Sequence, residues 1–520
     1  MSGENIILVE EVIVVLLLIA SVVAITARRL RIPYTVGLVL IGLALSFFSS
    51  SDIKISPQII LALLVPPLVF EAAFHLRWDS LRRDFWLILL LAIPGVILTT
   101  LMVGGVVAWG TGLTIQSAMV FGALISATDP VAVVALFRRL GVPRRLQVLL
   151  EGESLFNDGT AIVMFNLMLS IALAGQFNVI ASIRDFVAVS GGGVLVGIVL
   201  GMVISQIIER IDDPLVETTL TTVLAFGSYL IAEYFHVSGV LAVVAAGVVN
   251  GNAGPGGMSA TTRVVVFNFW EYAAFIANSL TFLLIGLTIN LNVMLENWEA
   301  ILWAILAALV ARAVSIYGFS IFGHEISVKW RHVLFWGGLR GAIALALALS
   351  LPETGPLAQA RGSLQAMAFG VVLFTLLVQG ISTDWLVKRI KLVQRSDSQN
   401  EYELHHARFV AGRAAFDEVR RMNKQGLISE HTWQNLSPLL QKQNEKLVEA
   451  VKDVITSDPV VEAEELDTAR REALRAQRNA FRGLLRDGVI SEETYSILVS
   501  EVDAALMDEN LSWYQFPQDS

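Results

Sequence analysis

The sequence predicts an all-α polytopic membrane protein. It expects about 13 transmembrane helices, set out as inverted six-helix repeats with two broken helices, and then a helical cytoplasmic tail. Three observations carry that prediction. The chain of 520 residues is 55% hydrophobic and only 16% charged, too apolar for a soluble protein of this size. Apolar runs of about twenty residues recur from the N-terminus to about residue 384 and then stop. Charge is divided in the same way: residues 1–395 hold 23 basic and 23 acidic side chains, the rest 14 and 23, so the net charge of −9 belongs to the tail. The expected division is therefore a transmembrane domain, 1–395, and a soluble tail, 396–520. An acidic tail gives no reason to expect nucleic acid as a partner. With no cysteine, disulfides, Cys-ligated zinc and iron–sulfur clusters are excluded. Glu4, Glu10 and Glu11 open the chain without a basic segment, so a cleaved secretory signal is not expected.

In chain order the spans fall at residues 6–27, 33–48, 57–74, 85–109, 114–137, 146–174, 184–208, 215–234, 238–250, 263–290, 298–322, 329–351 and 362–384. The loops test that count. Alternate loops carry Arg28, Arg29 and Arg31, then Arg77, Arg82 and Arg83, then Arg138, Arg139, Arg144 and Arg145. The series continues with Arg210, Arg263, Lys329 and Arg331, and closes on Lys388, Arg389, Lys391 and Arg395. The intervening loops hold only Lys54, Arg184 and Arg361, so the asymmetry is eighteen against three. Positive charge stays inside, which sets the N-terminus outside and the tail in the cytoplasm.

Two spans are interrupted. In the fifth, Ser126-Ala-Thr128-Asp129-Pro130 breaks or kinks the helix, because Pro130 has no N–H and clashes with the carbonyl of Ser126. Ser126, Thr128 and Asp129 are suited to satisfy the freed backbone groups. In the twelfth, Gly337-Gly338-Leu-Arg340-Gly341 places three glycines in five residues, each weakening a helix by roughly 1 kcal/mol relative to Ala. The two are seven places apart in the series, an odd number, so they cross in opposite directions. Broken helices in corresponding positions of inverted repeats point to a substrate site at the midplane. Asp129 and Arg340 are candidates to compensate the dipoles of the half-helices. Arg312 in the eleventh span reads as a structural ion pair or a snorkelling side chain.

The sixth span opens on Glu151-Gly-Glu153-Ser154-Leu-Phe-Asn157-Asp158-Gly-Thr160. On a helix Ser154 and Asp158 share a face and Asn157 flanks it, whereas Glu153 lies about 140° from Asp158 and looks to another partner. Ionisable groups at membrane depth are costly, so this stretch reads as an ion path or proton relay.

Residues 126–133 (Ser-Ala-Thr-Asp-Pro-Val-Ala-Val), 151–159 (Glu-Gly-Glu-Ser-Leu-Phe-Asn-Asp-Gly) and 338–342 (Gly-Leu-Arg-Gly-Ala) resemble the signature segments of monovalent cation/proton antiporters of the NhaP/NHE branch. The resemblance covers about residues 1–395. It implies thirteen helices, a homodimer, and elevator-like alternating access between a dimerisation domain and a transport core. It implies Na⁺/H⁺ exchange at the pair Asn157-Asp158, with Asp158, Ser154 and Thr128 as ligands of the transported cation, Asp129 nearby and Glu153 paired with Arg340. Asparagine at the first position of the pair implies the electroneutral branch. No cofactor is implied. The chemistry agrees: Na⁺ is a hard cation that takes oxygen ligands, and desolvation favours a protonated carboxylate, so H⁺ and Na⁺ compete for one group. The rivals are a K⁺/H⁺ antiporter of the same fold, a cation channel, and an intramembrane enzyme. The enzyme is disfavoured because histidine is missing from the membrane interior.

Glu71, in Pro66-Pro67-Leu-Val-Phe-Glu71, reads either as an interfacial carboxylate near Arg77 or as part of a cytoplasmic funnel for cations. Glu233 and His236 read as a solvated outer loop, and His75 and His324 as loop-edge residues. Gly251–Gly257 lacks the Lys-Ser/Thr of a phosphate-binding loop and reads as a cytoplasmic loop. In the tail, the basic stretch Trp385–Arg395 and a polar linker, Ser396–Glu401, lead to an internal repeat. Gln425-Gly426-Leu-Ile-Ser429-Glu-His-Thr432-Trp433 matches Asp487-Gly488-Val-Ile-Ser491-Glu-Glu-Thr494-Tyr495, sixty-two residues on. Each copy stops a helix at Gly and restarts it at a Ser cap, giving two related helix–turn–helix units.

Overall fold

A computed structural model describes residues 3–30, 33–48, 60–175, 178–211, 213–258, 260–289, 291–323, 326–390, 392 and 397–507. Arg31, Lys54, His324, Lys391, Arg395 and Ser396, and the first residues of the third span, lie outside them. The chain divides into two compact units, Met1–Val393 and Gln394–Ser520.

Among the described residues, the predicted spans of the first unit are mainly helical, apart from the two interruptions. Gly3–Leu30 and Tyr34–Phe48 come first, then a π-helical turn Ile60–Leu64 that runs into Val65–His75. Trp78–Ala92 and Pro94–Thr111 follow, then the broken pair Ile115–Leu124 and Val131–Leu140, then Arg144–Ala174. Val179–Ile208, Pro214–Tyr234, Gly239–Gly257, Ala260–Thr288 and Trp298–Phe319 lead to the second broken pair, Val328–Trp336 and Ala342–Leu349. Arg361–Phe374 continues through a π-helical turn, Thr375–Gly380, into Ile381–Arg389. Among the described residues, seven helices are each long and apolar enough to cross a membrane.

Three sequence expectations are corrected. The helix of the fourth span starts at Trp78, ahead of the expected residue 85, and kinks at Asp84, whose carboxylate is bonded by Arg145 at 2.7 Å through both Nε and Nη2. Gly251–Gly257 is no loop: the helix runs through it. At Gly251 a Cβ would stand 2.2 Å from the carbonyl oxygen of Phe74, so the missing side chain lets this helix lie against Val65–His75. Residues 397–401, expected as linker, begin the helix Asp397–Lys424.

The helices of the first unit pack as two sets. One contains Gly3–Leu30, Tyr34–Phe48, Val65–His75 and the four helices from Val179 to Thr288. The other contains Trp78–Ala92, Pro94–Thr111, both broken pairs, Arg144–Ala174, Trp298–Phe319 and the helix beginning at Arg361. All residues of the two interruptions and of the polar sixth span belong to the second set. Fully buried Phe70, Phe74, Phe121, Phe137, Phe165, Phe282 and Trp270 fill the interior, and dispersion and burial of such rings are its main cohesive contribution.

The second unit, taken by itself, has four helices among the described residues: Asp397–Lys424, Glu430–Ser457, Pro459–Arg486 and Glu492–Met507. The repeated turns have the predicted chemistry. Gly426 and Gly488 both have φ of +70°, which glycine adopts without strain. Ser429 and Ser491 each accept at 3.2 Å from the amide three residues on, Thr432 and Thr494. The two turns are thus alike bond for bond, as their sequences are.

Candidate functional site

The two interruptions meet. The first half-helix ends at Leu124 and the chain resumes at Val131, where Asp129 Oδ1 accepts from the Val131 amide at 3.0 Å and caps the second half. The second interruption is unwound from Gly338 to Gly341. Across the crossing, the Asp129 amide donates to Leu339 O at 2.8 Å. Arg340 Nη1 donates to Ser126 O at 2.7 Å and to Ala127 O at 3.1 Å. Each break therefore supplies partners for backbone groups the other has freed, the condition for irregular backbone in an apolar interior. The guanidinium also sets a positive charge at the carbonyl end of a half-helix, where the dipole is negative. The crossing is tight: a Cβ on Gly341 would stand 2.3 Å from Asp129 Oδ2.

The helix Arg144–Ala174 lies against this crossing with its polar face. Ser154 Oγ donates to Thr128 O. Asn157 Nδ2 donates to Ser126 O at 3.0 Å and to Thr128 Oγ1 at 3.3 Å, while Asn157 Oδ1 is buried without a partner among the described residues. One turn on, Thr160 Oγ1 donates to Ala92 O at 2.6 Å, beside the kink that precedes Pro94. Asp158 points into a cavity of about 550 Å³ that Ser154, Thr128 and Asp129 also line. The structure thus brings Asp158, Ser154, Thr128 and Asp129 to one cavity and makes Asn157 a link between Ser126 and Thr128.

Glu153 looks away from the cavity, as its helical position predicts, but its partner is not Arg340. Arg312 holds it through both nitrogens, Nη1 to Oε1 and Nη2 to Oε2 at 3.0 Å, and Nη2 also donates to Leu334 O at 2.9 Å. The physical reason is room and prior engagement. Gly338 has no side chain, and a Cβ there would stand 2.5 Å from Arg312 Nε. Arg340 is already spent on two carbonyls. Arg312 is accordingly in a structural ion pair and is not a snorkelling side chain.

The cavity lies at the seam between the two helix sets. Tyr34, Leu68, Glu71, His75, Glu271 and Asn278 line it from one set. Glu71 pairs with His75 at 3.3 Å, not with Arg77. On the other side Arg138 bonds Glu151 at 2.8 Å. Sequence reasoning named Glu71 but passed over Glu151, Glu271 and Asn278. Only Glu151 had a signal, as the first acid of the polar stretch. Glu233 and His236 are both exposed, but Glu233 lies in the last turn of the helix Pro214–Tyr234 and only His236 lies beyond it.

Discontinuous helices whose ends meet beside a carboxylate-lined cavity are the architecture of a secondary transporter. Comparison with known proteins agrees. Residues 14–389 match the family described as sodium/hydrogen exchanger, transmembrane. The Na⁺/H⁺ antiporter ApNhaP of Aphanothece halophytica is 41% identical over 408 residues, 77% of each chain. The low-affinity Na⁺/H⁺ antiporter NhaS1 of Synechocystis is 36% identical over 481 residues, 90% of this chain and 91% of that one. In fold, the chain is similar to the sodium proton antiporter MjNhaP1 of Methanocaldococcus jannaschii, with a TM-score of 0.65, 22% identity, and 75% of this chain and 100% of that one covered. The chain belongs to the sodium/hydrogen exchanger family and is an integral, multi-pass membrane protein.

Proposed function

We propose that the chain exchanges Na⁺ for H⁺ at Asp158, electroneutrally and by alternating access. The cavity carries this reading: Asp158, Asp129, Thr128 and Ser154 share it, beside a crossing of broken helices, at the seam between two packed sets of helices. Na⁺ prefers oxygen ligands, and these side chains offer two carboxylates and two hydroxyls. Asp158 makes no hydrogen bond or ion pair among the described residues, so its charge is left to a mobile partner. H⁺ and Na⁺ compete for it, and each expels the other. Asn157 does not titrate, and Glu153 is matched by Arg312. One positive charge moves each way, and no net charge crosses. The names of the relatives above, antiporters of Na⁺ and H⁺, support the choice of ions.

The same reading takes all thirteen spans as membrane crossings, in two inverted six-helix repeats joined by the seventh span, with the N-terminus outside and the tail in the cytoplasm of a bacterial cell. The cavity then opens inward, since His75, Arg138 and Glu151 stand at the ends facing the basic loops. Glu71, Glu151 and Glu271 give its wall the negative charge that draws cations. The set without the ion site would be the scaffold of a homodimer, and the other set the moving part.

The test is proton flux in proteoliposomes under an imposed pH difference. Na⁺, Li⁺ and K⁺ are added in turn, with the membrane potential clamped or free and Asp158→Asn as the control. Expected is Na⁺-triggered proton movement that the mutant lacks and that ignores the potential. Flux that persists in Asp158→Asn, or cation flow without protons, overturns the proposal. A response to K⁺ alone would give the K⁺/H⁺ form of the same exchange.

A further inference from the structure

The helix that runs from Arg361 to Arg389 is not uniform. Its middle, Thr375–Gly380, is a π-helical turn. Such turns are rare inside α-helices and are frequent at functional sites. Thr375 begins this turn and is 4% exposed. Its hydroxyl is used twice: it donates to Val372 O at 3.0 Å and accepts from the Arg340 amide at 3.1 Å. The Arg340 amide lies in the unwound stretch, so the ordinary helical carbonyl four residues back does not serve it. A hydroxyl from another helix takes its place.

We infer that Thr375 is a positioning residue for the ion site, acting through Arg340. The route is a chain of hydrogen bonds. Thr375 holds the Arg340 amide. The Arg340 guanidinium holds Ser126 O and Ala127 O. Ser126 O also receives Asn157 Nδ2, which reaches Thr128 Oγ1. Thr128 lines the cavity beside Asp158. A shift of Arg340 therefore reaches the groups around the transported ion without altering any of them. The inference rests on the reading of Asp158, Thr128 and Ser154 as that site.

Thr383 supplies an internal control. It lies two turns further along the same helix, is 1% exposed, and donates at 2.6 Å to Gln379 O of its own helix. It bonds neither interruption. Valine at either position keeps the shape and removes the hydroxyl. A buried amide without a partner shifts an equilibrium by roughly tenfold, and a displaced ligand set weakens ion binding more than it slows the maximal rate.

The experiment measures Na⁺-driven proton flux of the full chain in proteoliposomes, giving KM for Na⁺, maximal rate and pH profile. Thr375→Val is expected to raise KM roughly tenfold and to move the pH profile, because H⁺ competes for the same carboxylate. Thr375→Ser keeps the acceptor and is expected within about twofold of the parent, and Thr383→Val likewise. Equal KM values for Thr375→Val and Thr383→Val overturn the inference, and so does a Thr375→Ser variant as impaired as Thr375→Val. If Thr375→Val does not fold, Thr375→Ala decides: a parental KM overturns the inference, and a raised one supports it. Activity in Asp158→Asn, by contrast, would refute the ion-site reading and leave the Thr375 comparison standing on its own measurements.

Discussion

Removing Arg312 is the sharpest test of how the interior is charged. Glu153 and Arg312 side chains are 2% and 7% exposed. Arg312→Met keeps much of the bulk but leaves a buried carboxylate with no cation in contact. Breaking a buried pair from one side costs about 3–5 kcal/mol, and replacing both partners by apolar groups is often neutral. Arg340 cannot take over, because Ser126 O and Ala127 O hold its Nη1 and its backbone is pinned at Thr375. The assay is the melting temperature of the full chain in detergent for Arg312→Met, Glu153→Leu, the double variant, and the same series with Arg340→Met. Arg312→Met is expected to lose most, and the double variant to recover more than half of that loss. The Glu153 and Arg340 substitutions are expected to be nearly additive. A coupling of Glu153 to Arg340 larger than that to Arg312, or a double variant as unstable as Arg312→Met, would refute the assignment.

Three further outcomes are expected. Gly341→Ala puts a Cβ 2.3 Å from Asp129 Oδ2, so it must part the two interruptions; exchange should fall at least tenfold with the chain still in the membrane, as proteoliposome flux would show. Ser429→Ala and Ser491→Ala each remove a cap worth about 1 kcal/mol, so both should speed proteolysis of the tail to a similar degree and leave the KM for Na⁺ alone. Burial, the nearby Glu465 charge and the hydrogen bond to it push the Tyr402 phenol up to about 12. A raised folded-state value means the contribution is complete below the ordinary value of 10.0 and is lost as pH climbs to about 12. Tyr402→Phe should abolish that part of an alkaline melt followed by tail circular dichroism.

What could be read in advance was whatever is written locally. Pro130 and the glycines at 337, 338 and 341 announce the two breaks by their own backbone chemistry. Gly426 and Ser429, and their copies at 488 and 491, announce the turns of the tail in the same way. The polar face of Ser154, Asn157 and Asp158 follows from helical spacing alone. What failed were statements about partners between distant helices. Two arginines, 312 and 340, were available to one carboxylate, and spacing does not say which one rotates toward it. Gly338 held the clue, because a glycine opposite a buried arginine makes room for a guanidinium. Thr375 gave no sign, since a threonine in an apolar helix ordinarily bonds its own helix, as Thr383 does. The charged start at Trp78 was missed because hydropathy hides a helix whose charges are paired, and Asp84 with Arg145 is such a pair.

The assignment of exchange to Asp158 rather than Glu153 rests on a contrast within one helix. The two carboxylates are five residues apart, yet their surroundings are opposite. Glu153 meets a guanidinium through both oxygens and does not line the cavity. In this structure its charge is balanced by that guanidinium, and a bound Na⁺ would have to displace a buried arginine. Asp158 faces the cavity and has no fixed cation in contact among the described residues. Leaving it ionised and alone in such surroundings is costly, so it demands a proton or a metal cation at all times. Under the proposed exchange that demand would couple the two fluxes, because a carrier whose empty, charged form is disfavoured would cross with one ion or the other. An asparagine at Asp158 removes the demand together with the site, whereas glutamine at Glu153 leaves the demand intact and unbalances only Arg312.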